Sequence, residues 1–498
     1  MKLCVALAEA TTAEVTARMT ELAPWADLFE VRADHVSDLD LGALLAARTR
    51  PILFTCRSES EGGIPGRDPR VRRELLLEAV ARGFDLVDVE ARSGFDDVVA
   101  AKRGHGLVLS WHDTAGTPDD LDAIYEGLAA ERPDVVKIAV TARSIRDLGR
   151  LLALAARHAS DAAPRLVAIA MGPLGVASRI LGGRYGAPFG FAASAAGRGT
   201  APGQLTAPVL AESYRVRSIG RETRVYGLLG SDVQRSLSPA IQNRAFAERK
   251  LDAVYVPLQA ESLAAFMDAV PALGLSGWSV TRPYKSAIVA ELDSVTAHAA
   301  EAGSVNTVVA QDGRLVGLST DGDGVLVPLR RRLDPAGRRV AILGAGGAAR
   351  AAAFALARTG ARVDVLARRT EQAREVAAAT GCAAAGLDEL AKLPYDVLVN
   401  ATPVGSGAFP GQSPVPASAL RPGSVVFDMV YEPRETPLLA AARARGCATI
   451  DGVEMLVAQA VGQFEAWTGT EAPVEAMTEA ALGAIAAART PRPAGAAS

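Results

Sequence analysis

Lysine is scarce in this chain of 498 residues: there are 6, in a sequence whose Lys+Arg total is 53. Cysteine is scarcer still. The 4 cysteines, Cys4, Cys56, Cys382 and Cys447, are too scattered for a disulfide framework or a zinc knuckle, and read as small buried hydrophobes in a reducing compartment. Of the 5 histidines, His35, His105, His158 and His298 have no partner at metal-ligand spacing, so no metal is expected. No apolar run is long enough to span a bilayer, and the stretch after Met1 and Lys2 is soon broken by Glu9; the expectation is a cytoplasmic chain with no membrane partner. A net charge of -3, with acidic residues interleaved throughout, argues against nucleic acid as a partner. What the chain does have is 49% hydrophobic residues, enough for full cores, at a length that predicts two to four domains.

Apolar runs recur at residues 3–7, 28–32, 52–57, 86–90, 107–112, 135–140, 166–171 and 189–193, separated by helical patterns. Strands and helices alternating in this number and over this length predict an α/β fold, a (β/α)8 TIM barrel. Barrel active sites gather at the C-terminal strand ends, which here carry Glu30, Arg32, Arg57, Asp88, Glu90, His112 and Lys137. Lys137 interrupts the apolar run 135–140. A lone strand lysine more often packs its stem and sends its head to water. A half-buried one loses charge stability and becomes a nucleophile for carbonyl carbons, which arginine cannot do. With a histidine beside it, such an amine can form an imine with a ketone, and the imidazole can move the proton from the α-carbon to a leaving hydroxyl. Arg179, in the glycine-rich loop 172–179, suits a bidentate clamp on a carboxylate.

These motifs resemble the type I 3-dehydroquinate dehydratases: Glu30-Val31-Arg32-Ala33-Asp34, Thr55-Cys56-Arg57 with Glu61-Gly62-Gly63, Ser110-Trp111-His112, Lys137-Ile138-Ala139, Ser178-Arg179, and Ala201-Pro202-Gly203-Gln204. The resemblance implies that Lys137 forms the Schiff base, His112 is the general acid/base and Glu61 assists it. It further implies that Glu30, Arg32, Arg57, Arg179, Thr200 and Gln204 bind the substrate's carboxylate and hydroxyls. Thr200 stands where many members have serine.

After an arginine-rich linker at 212–223 a different architecture begins. A strand at 339–343 runs into Gly344-Ala345-Gly346-Gly347-Ala348-Ala349, a G-x-G-x-x-A turn opening an alanine-rich helix, the setting in which a helix N-terminus cradles a pyrophosphate. The next strand ends in Arg368-Arg369-Thr370 where an NAD-binding fold usually places an acidic residue, so the expected cofactor is NADP. Lys285 and Asp321 offer a proton donor pair for reduction of a ketone.

Ser236-Leu237-Ser238-Pro239, the run 277–285, Gly303-Ser304-Val305-Asn306-Thr307, Asn400-Ala401-Thr402-Pro403-Val404-Gly405 and the run 455–460 together resemble the shikimate dehydrogenases. This resemblance implies that Lys285 and Asp321 are the catalytic pair. Ser236, Ser238, Thr281, Asn306, Tyr431 and Gln459 would bind substrate, while Gly344, Ala345, Gly346, Gly347, Ala348, Arg368, Arg369, Thr370, Thr402, Val404 and Gly452 would hold the cofactor. Ser279 and Ser319 replace asparagines found in many members, and Ser406 replaces a methionine. The expected domains are a dehydratase barrel at 1–212, a substrate domain at 224–325 rejoined by helices at 451–488, a Rossmann domain at 326–450 and a disordered tail at 489–498. The two resemblances fit one pathway: dehydration of 3-dehydroquinate yields 3-dehydroshikimate, and NADPH-dependent reduction of that ketone yields shikimate. Two alternatives stand beside this reading. One is a quinate dehydrogenase as the second half; the other is a non-catalytic metabolite sensor, against which the retention of Lys137, His112, Lys285 and Asp321 speaks.

Overall fold

The computed structural model describes residues 1–489, so the tail expected at 489–498 lies outside the described residues apart from its first. The described residues divide into two units, one made of Met1–Pro239 with Leu251–Ser276 and the other of Ala240–Lys250 with residues 277–489.

The first unit is dominated by eight parallel strands: β1 (Lys2–Leu7), β2 (Leu28–Arg32), β3 (Ile52–Thr55), β4 (Leu86–Glu90), β5 (Leu107–Asp113), β6 (Val135–Thr141), β7 (Arg165–Met171) and β8 (Phe189–Ala193). They follow one another in a ladder that runs from β7 back to β1 and then to β8. Continuous apolar runs form these strands because helices cover their outer faces while side chains of the opposite strands fill the interior. Leu28, Leu53, Val108, Val135, Val167, Phe189 and Phe191 belong to one such interior cluster. Two of the longer helices are started by side chains. Thr11 and Glu14 form a capping box for Thr12–Leu22, and Ser144 with Asp147 does so for Ile145–Arg157, each satisfying otherwise orphaned N–H groups.

β3 stops at Thr55 rather than at residue 57 as expected. Side-chain acceptors replace the ladder there: Asp34 Oδ1 accepts Arg57 N at 3.3 Å and Glu90 Oε1 accepts Ser58 N at 2.7 Å. Arg57 is thereby freed from the strand and turned toward the barrel mouth. Beyond the barrel this unit holds β9 (Arg224–Gly230) and β10 (Ala253–Gln259), paired in parallel.

The second unit contains β11 (Leu275–Val280), β12 (Ser294–Val295), β13 (Thr307–Gln311) and β14 (Arg314–Leu318), with β13 antiparallel to both β11 and β14. The six strands that follow are all parallel: β15 (Arg339–Leu343), β16 (Arg362–Ala367), β17 (Ala383–Gly386), β18 (Val397–Asn400), β19 (Val425–Asp428) and β20 (Ala448–Ile450). Their order, β17-β16-β15-β18-β19-β20, reverses direction between β15 and β18, which opens a crevice at the strand C-termini. Helix Gly452–Thr468 then returns to the earlier strands, where Trp467 Nε1 donates to Val308 O at 3.0 Å and Gln463 Nε2 to Asn306 O at 3.3 Å.

Candidate active sites

Parallel register places the polar residues of neighbouring strands at matching heights, so Ser110 on β5 lies beside Lys137 on β6, and Thr55 on β3 beside Asp88 on β4. A cavity of about 130 Å³ opens above them, lined by Glu30, Arg32, Arg57, Glu61, His112, Lys137, Arg179, Thr200 and Gln204 among others. All nine residues expected in the dehydratase site thus share one cavity.

Lys137 is 5% exposed, and the apolar run does not leave its amine alone. Nζ donates to Asp88 Oδ2 at 3.0 Å, lies 3.7 Å from Glu30 Oε1 and sits 4.4 Å over the Phe191 ring. Asp88 is also bound by Arg57 at 2.7 Å and by Ser110 Oγ at 2.6 Å. Burial alone would raise its pKa, but the cations of Arg57 and Lys137 hold the carboxyl well below the usual range. The aspartate is thus an anchor for the lysine, a role the sequence reading left unassigned.

His112 Nδ1 is 2.8 Å from Glu61 Oε2, which leaves Nε2 as the nitrogen available to a ligand. Burial, followed by the cations of Arg57 and Lys137, pushes the imidazole pKa well down. Burial and the nearby Glu90 push Glu61 up to about 7, against the opposing pull of Arg57 and Arg92. The two groups form a hydrogen-bonded pair between which a proton can pass.

Arg179 is 3% exposed. Its Nη2 donates to Pro202 O at 3.1 Å, while its buried Nε has no hydrogen-bond partner among the described residues, and burial brings its pKa down to about 10. A buried guanidinium with spare donors calls for an anion in the cavity. Arg32 is instead held in a fork by Asp34, at 2.9 and 2.7 Å, and Gln204 ties back to Thr200 N and Oγ1.

In the second unit a larger cavity, about 890 Å³, runs along the crevice. Lys285 Nζ donates to Asp321 Oδ2 at 2.6 Å on its wall. Asp321 opens helix Asp321–Arg330, where a negative charge is favoured, and receives Asn306 Nδ2 at 2.8 Å. Asn306, 1% exposed, stands behind the aspartate rather than on the cavity wall, and also accepts Thr320 N at 2.9 Å. Thr281, Tyr431 and Gln459 do line the wall, and burial raises the pKa of the Tyr431 phenol. Ser236 and Ser238 belong to the first unit, where Ser238 N donates to Ser236 Oγ at 3.2 Å. Ser279 donates to Gln463 Oε1 at 2.9 Å, which ties β11 to the returning helix.

The same cavity is lined by Gly344, Ala345, Gly346, Gly347, Ala348, Arg368, Arg369, Thr402, Val404 and Gly452. Gly344 has φ +109°, and a Cβ there would meet Thr402 Cγ2 at 3.0 Å, so the turn admits only glycine. Gly346 caps helix Gly347–Ala357, and a Cβ added at either residue would meet nothing within 4 Å. Open space at a helix N-terminus, with two guanidinium groups on the wall, fits a dinucleotide carrying a 2′-phosphate. Thr370 starts the next helix and lines an adjoining cavity instead. The loop 401–405 is held from below by Asn400, whose Oδ1 accepts Thr402 Oγ1 at 2.7 Å and whose Nδ2 donates to the fully buried Asp428 at 2.9 Å. Asp428 is a second support missed in the sequence. Among the described residues no group of three or more His, Cys, Asp or Glu side chains is arranged to hold a metal, and no helix is long and apolar enough to cross a membrane.

Residues 3–221 match the family model for type I 3-dehydroquinase, 228–308 that for the shikimate dehydrogenase substrate binding domain, and 452–482 that for the shikimate 5'-dehydrogenase C-terminal domain. The chain is 36% identical to the chloroplastic bifunctional 3-dehydroquinate dehydratase/shikimate dehydrogenase of Arabidopsis thaliana, over 90% of this chain and 79% of that protein. The chain belongs to this bifunctional family. A shikimate dehydrogenase (NADP(+)) of Moorella thermoacetica is 45% identical over 51% of the chain and 91% of its own length. A solved shikimate dehydrogenase in complex with NADP+ superimposes with a TM-score of 0.51 at 35% identity, over 53% of this chain and 96% of that one. Membership agrees with the α/β architecture expected, a barrel followed by Rossmann-type dehydrogenase strands.

Proposed function

We propose that this chain carries out two successive reactions, dehydrating 3-dehydroquinate to 3-dehydroshikimate in the barrel and reducing that product to shikimate with NADPH in the second unit. The observation that carries the first reaction is the convergence on one cavity of the Lys137 amine, the His112–Glu61 pair and the under-satisfied Arg179 guanidinium. Arg179 takes the substrate carboxylate, with Glu30, Arg32, Arg57, Thr200 and Gln204 around the hydroxyls. The Lys137 nitrogen displaces the ketone oxygen as water and forms an imine, which acidifies the adjacent C–H. His112 removes that proton and returns one to the departing hydroxyl; hydrolysis of the imine then releases the enone and restores the lysine.

In the second unit, Lys285 donates a proton to the developing alkoxide, and its hydrogen bond to Asp321 supports that role. Bound NADPH supplies the hydride. Thr281, Tyr431 and Gln459 bind the acid and its hydroxyls, and Asn306 acts through Asp321. Gly344, Ala345, Gly346, Gly347 and Ala348 would hold the cofactor's pyrophosphate and Arg368, Arg369 and Thr370 its 2′-phosphate, with Thr402, Val404 and Gly452 completing the site. We assign the dehydratase to 1–212, the substrate-binding part to 224–325 with 451–488, and the cofactor part to 326–450. Four free cysteines support a reducing compartment, the cytoplasm.

The test supplies 3-dehydroquinate and NADPH together and follows cofactor absorbance. Oxidation of NADPH that starts without added 3-dehydroshikimate is the expected result; a chain that accepts only one of the two substrates would sink the coupled reading. Cofactor choice has its own test. Removing both guanidiniums in an Arg368→Ser/Arg369→Ser variant should raise KM for NADPH by about tenfold or more while leaving KM for NADH within about twofold, because only the former carries the extra phosphate. Equal changes for both cofactors would remove these arginines from 2′-phosphate recognition.

A further inference from the structure

Arg92 is the second residue beyond β4, in a turn fixed by Ser93, whose N and Oγ both donate to Glu90 O, at 3.0 and 2.6 Å. The backbone is further registered by Ala91 N donating to Ser110 O at 2.9 Å. From this turn the Arg92 side chain, 54% exposed, reaches over the rim of the barrel mouth to the neighbouring strand. Its Nε donates to Glu61 Oε1 at 3.1 Å, its Nη2 donates to His112 O at 2.5 Å, and its guanidinium lies 5.0 Å from the centre of the Trp111 ring. One side chain therefore holds the carboxylate of the acid/base pair, the backbone of its imidazole and the residue that precedes the histidine on β5. Glu61 and His112 line the cavity wall, but Arg92 itself does not.

We propose that Arg92 is a positioning residue of the dehydratase, a clamp that fixes Glu61 against His112 and sets the pH range in which that pair transfers its proton. The proposal rests on the dehydratase reading above. The geometry explains why a clamp is needed. Glu61 ends the short 3-10 turn Glu59–Glu61, whose C-terminal neighbour Gly62 has a left-handed backbone, so its carboxylate is delivered from a loop and not from a strand. Oε2 is engaged by His112, and the remaining oxygen, Oε1, is the one Arg92 takes. The charged groups facing Glu61 are Arg57 at 3.9 Å from the β3 exit, Glu90 and Arg92 from the β4 end, and His112 from β5. Glu90 opposes ionisation and Arg57 is shared with Asp88 and Glu90 itself. Arg92 is the cation whose charge-assisted bond goes directly to the Glu61 carboxylate. Withdrawing it makes ionised Glu61 less favourable, so the pair reaches its proton-accepting form at higher pH.

The experiment uses the full chain and its Arg92→Ala, Arg92→Gln and Arg92→Lys variants, measuring kcat and KM for 3-dehydroquinate across pH. Circular dichroism and thermal unfolding of the same preparations report whether each variant has folded. The Ala variant is expected to lose about tenfold in kcat at neutral pH with KM within about twofold, and its acid limb to move up by about one pH unit. Gln, which can still hydrogen-bond but carries no charge, should leave the limb displaced, and Lys should bring it most of the way back. An Ala profile superimposable on an active wild type overturns the role of Arg92 alone. An equal loss at every pH that Lys does not rescue also overturns it, since a merely structural contact would behave that way. A wild-type chain that does not dehydrate 3-dehydroquinate overturns the underlying reading together with this one.

Discussion

Replacing Lys137 by alanine is expected to abolish dehydration of 3-dehydroquinate, lowering kcat by about 10⁴-fold or more, while the same protein reduces added 3-dehydroshikimate at a rate within about twofold of the parent. The size of the effect follows from covalency: without an amine no imine forms, and the ketone alone acidifies the neighbouring C–H far less. Burial complicates the alanine result, because Lys137 also neutralises Asp88 and lies near Glu30. Asp88 keeps Arg57 and Ser110 after the substitution, so the loss of one cation does not leave it unpaired. Lys137→Arg separates charge from nucleophilicity. It keeps a cation beside Asp88 but cannot attack a carbonyl, and should be as inactive as the alanine variant. Borohydride added to the turning-over parent should fix the substrate to the peptide containing residue 137, raising its mass, and do nothing to either variant. Dehydratase activity in Lys137→Arg would remove the imine from the mechanism.

The barrel was legible because its strands are buried on both faces and so appear as uninterrupted apolar runs, each ended by the polar residues of the mouth. What could not be read was which carboxylate does what. Asp88 and Glu90 are two residues apart on one strand and share a face, yet the first anchors Lys137 and Arg57 while the second joins Arg57 to Arg72, at 3.4 and 2.6 Å. Only the fold decides this, because Arg72 comes from helix Pro69–Ala81 and its sequence context is that of a solvated helix arginine. Arg92 was hidden for a related reason: in an arginine-rich chain one more arginine after a strand carries no signal. The G-x-G-x-x-A turn was readable because Gly344 needs a positive φ that other residues seldom adopt. Asn306 illustrates the opposite limit. A polar residue in a loop motif reads as a ligand contact, but its amide is fully occupied with Thr320, Asp321 and the edge of Gln459, so its influence on substrate passes through Asp321.

Lys285→Ala should produce the mirror image of the lysine change in the barrel: reduction of 3-dehydroshikimate falls by about 10³-fold, mostly in kcat, and dehydration of 3-dehydroquinate is untouched. The side chain is 29% exposed and pairs with an aspartate that is 10% exposed, so removing it costs the fold little and the chemistry much. Asp321→Asn tests the pair from the other side. The amide retains the length of the side chain and can still meet Lys285, but it no longer supplies a charge that fixes the ammonium, and it faces the Asn306 amide donor with only one acceptor oxygen. If the two residues act as one proton-delivering unit, the double variant should be no slower than the Lys285 variant alone, since the second substitution removes something already lost. Fully multiplicative losses would mean that Asp321 works apart from Lys285, for example by binding a substrate hydroxyl. A Lys285→Ala protein whose defect is confined to KM would place the lysine in substrate binding and require another source for the alkoxide's proton.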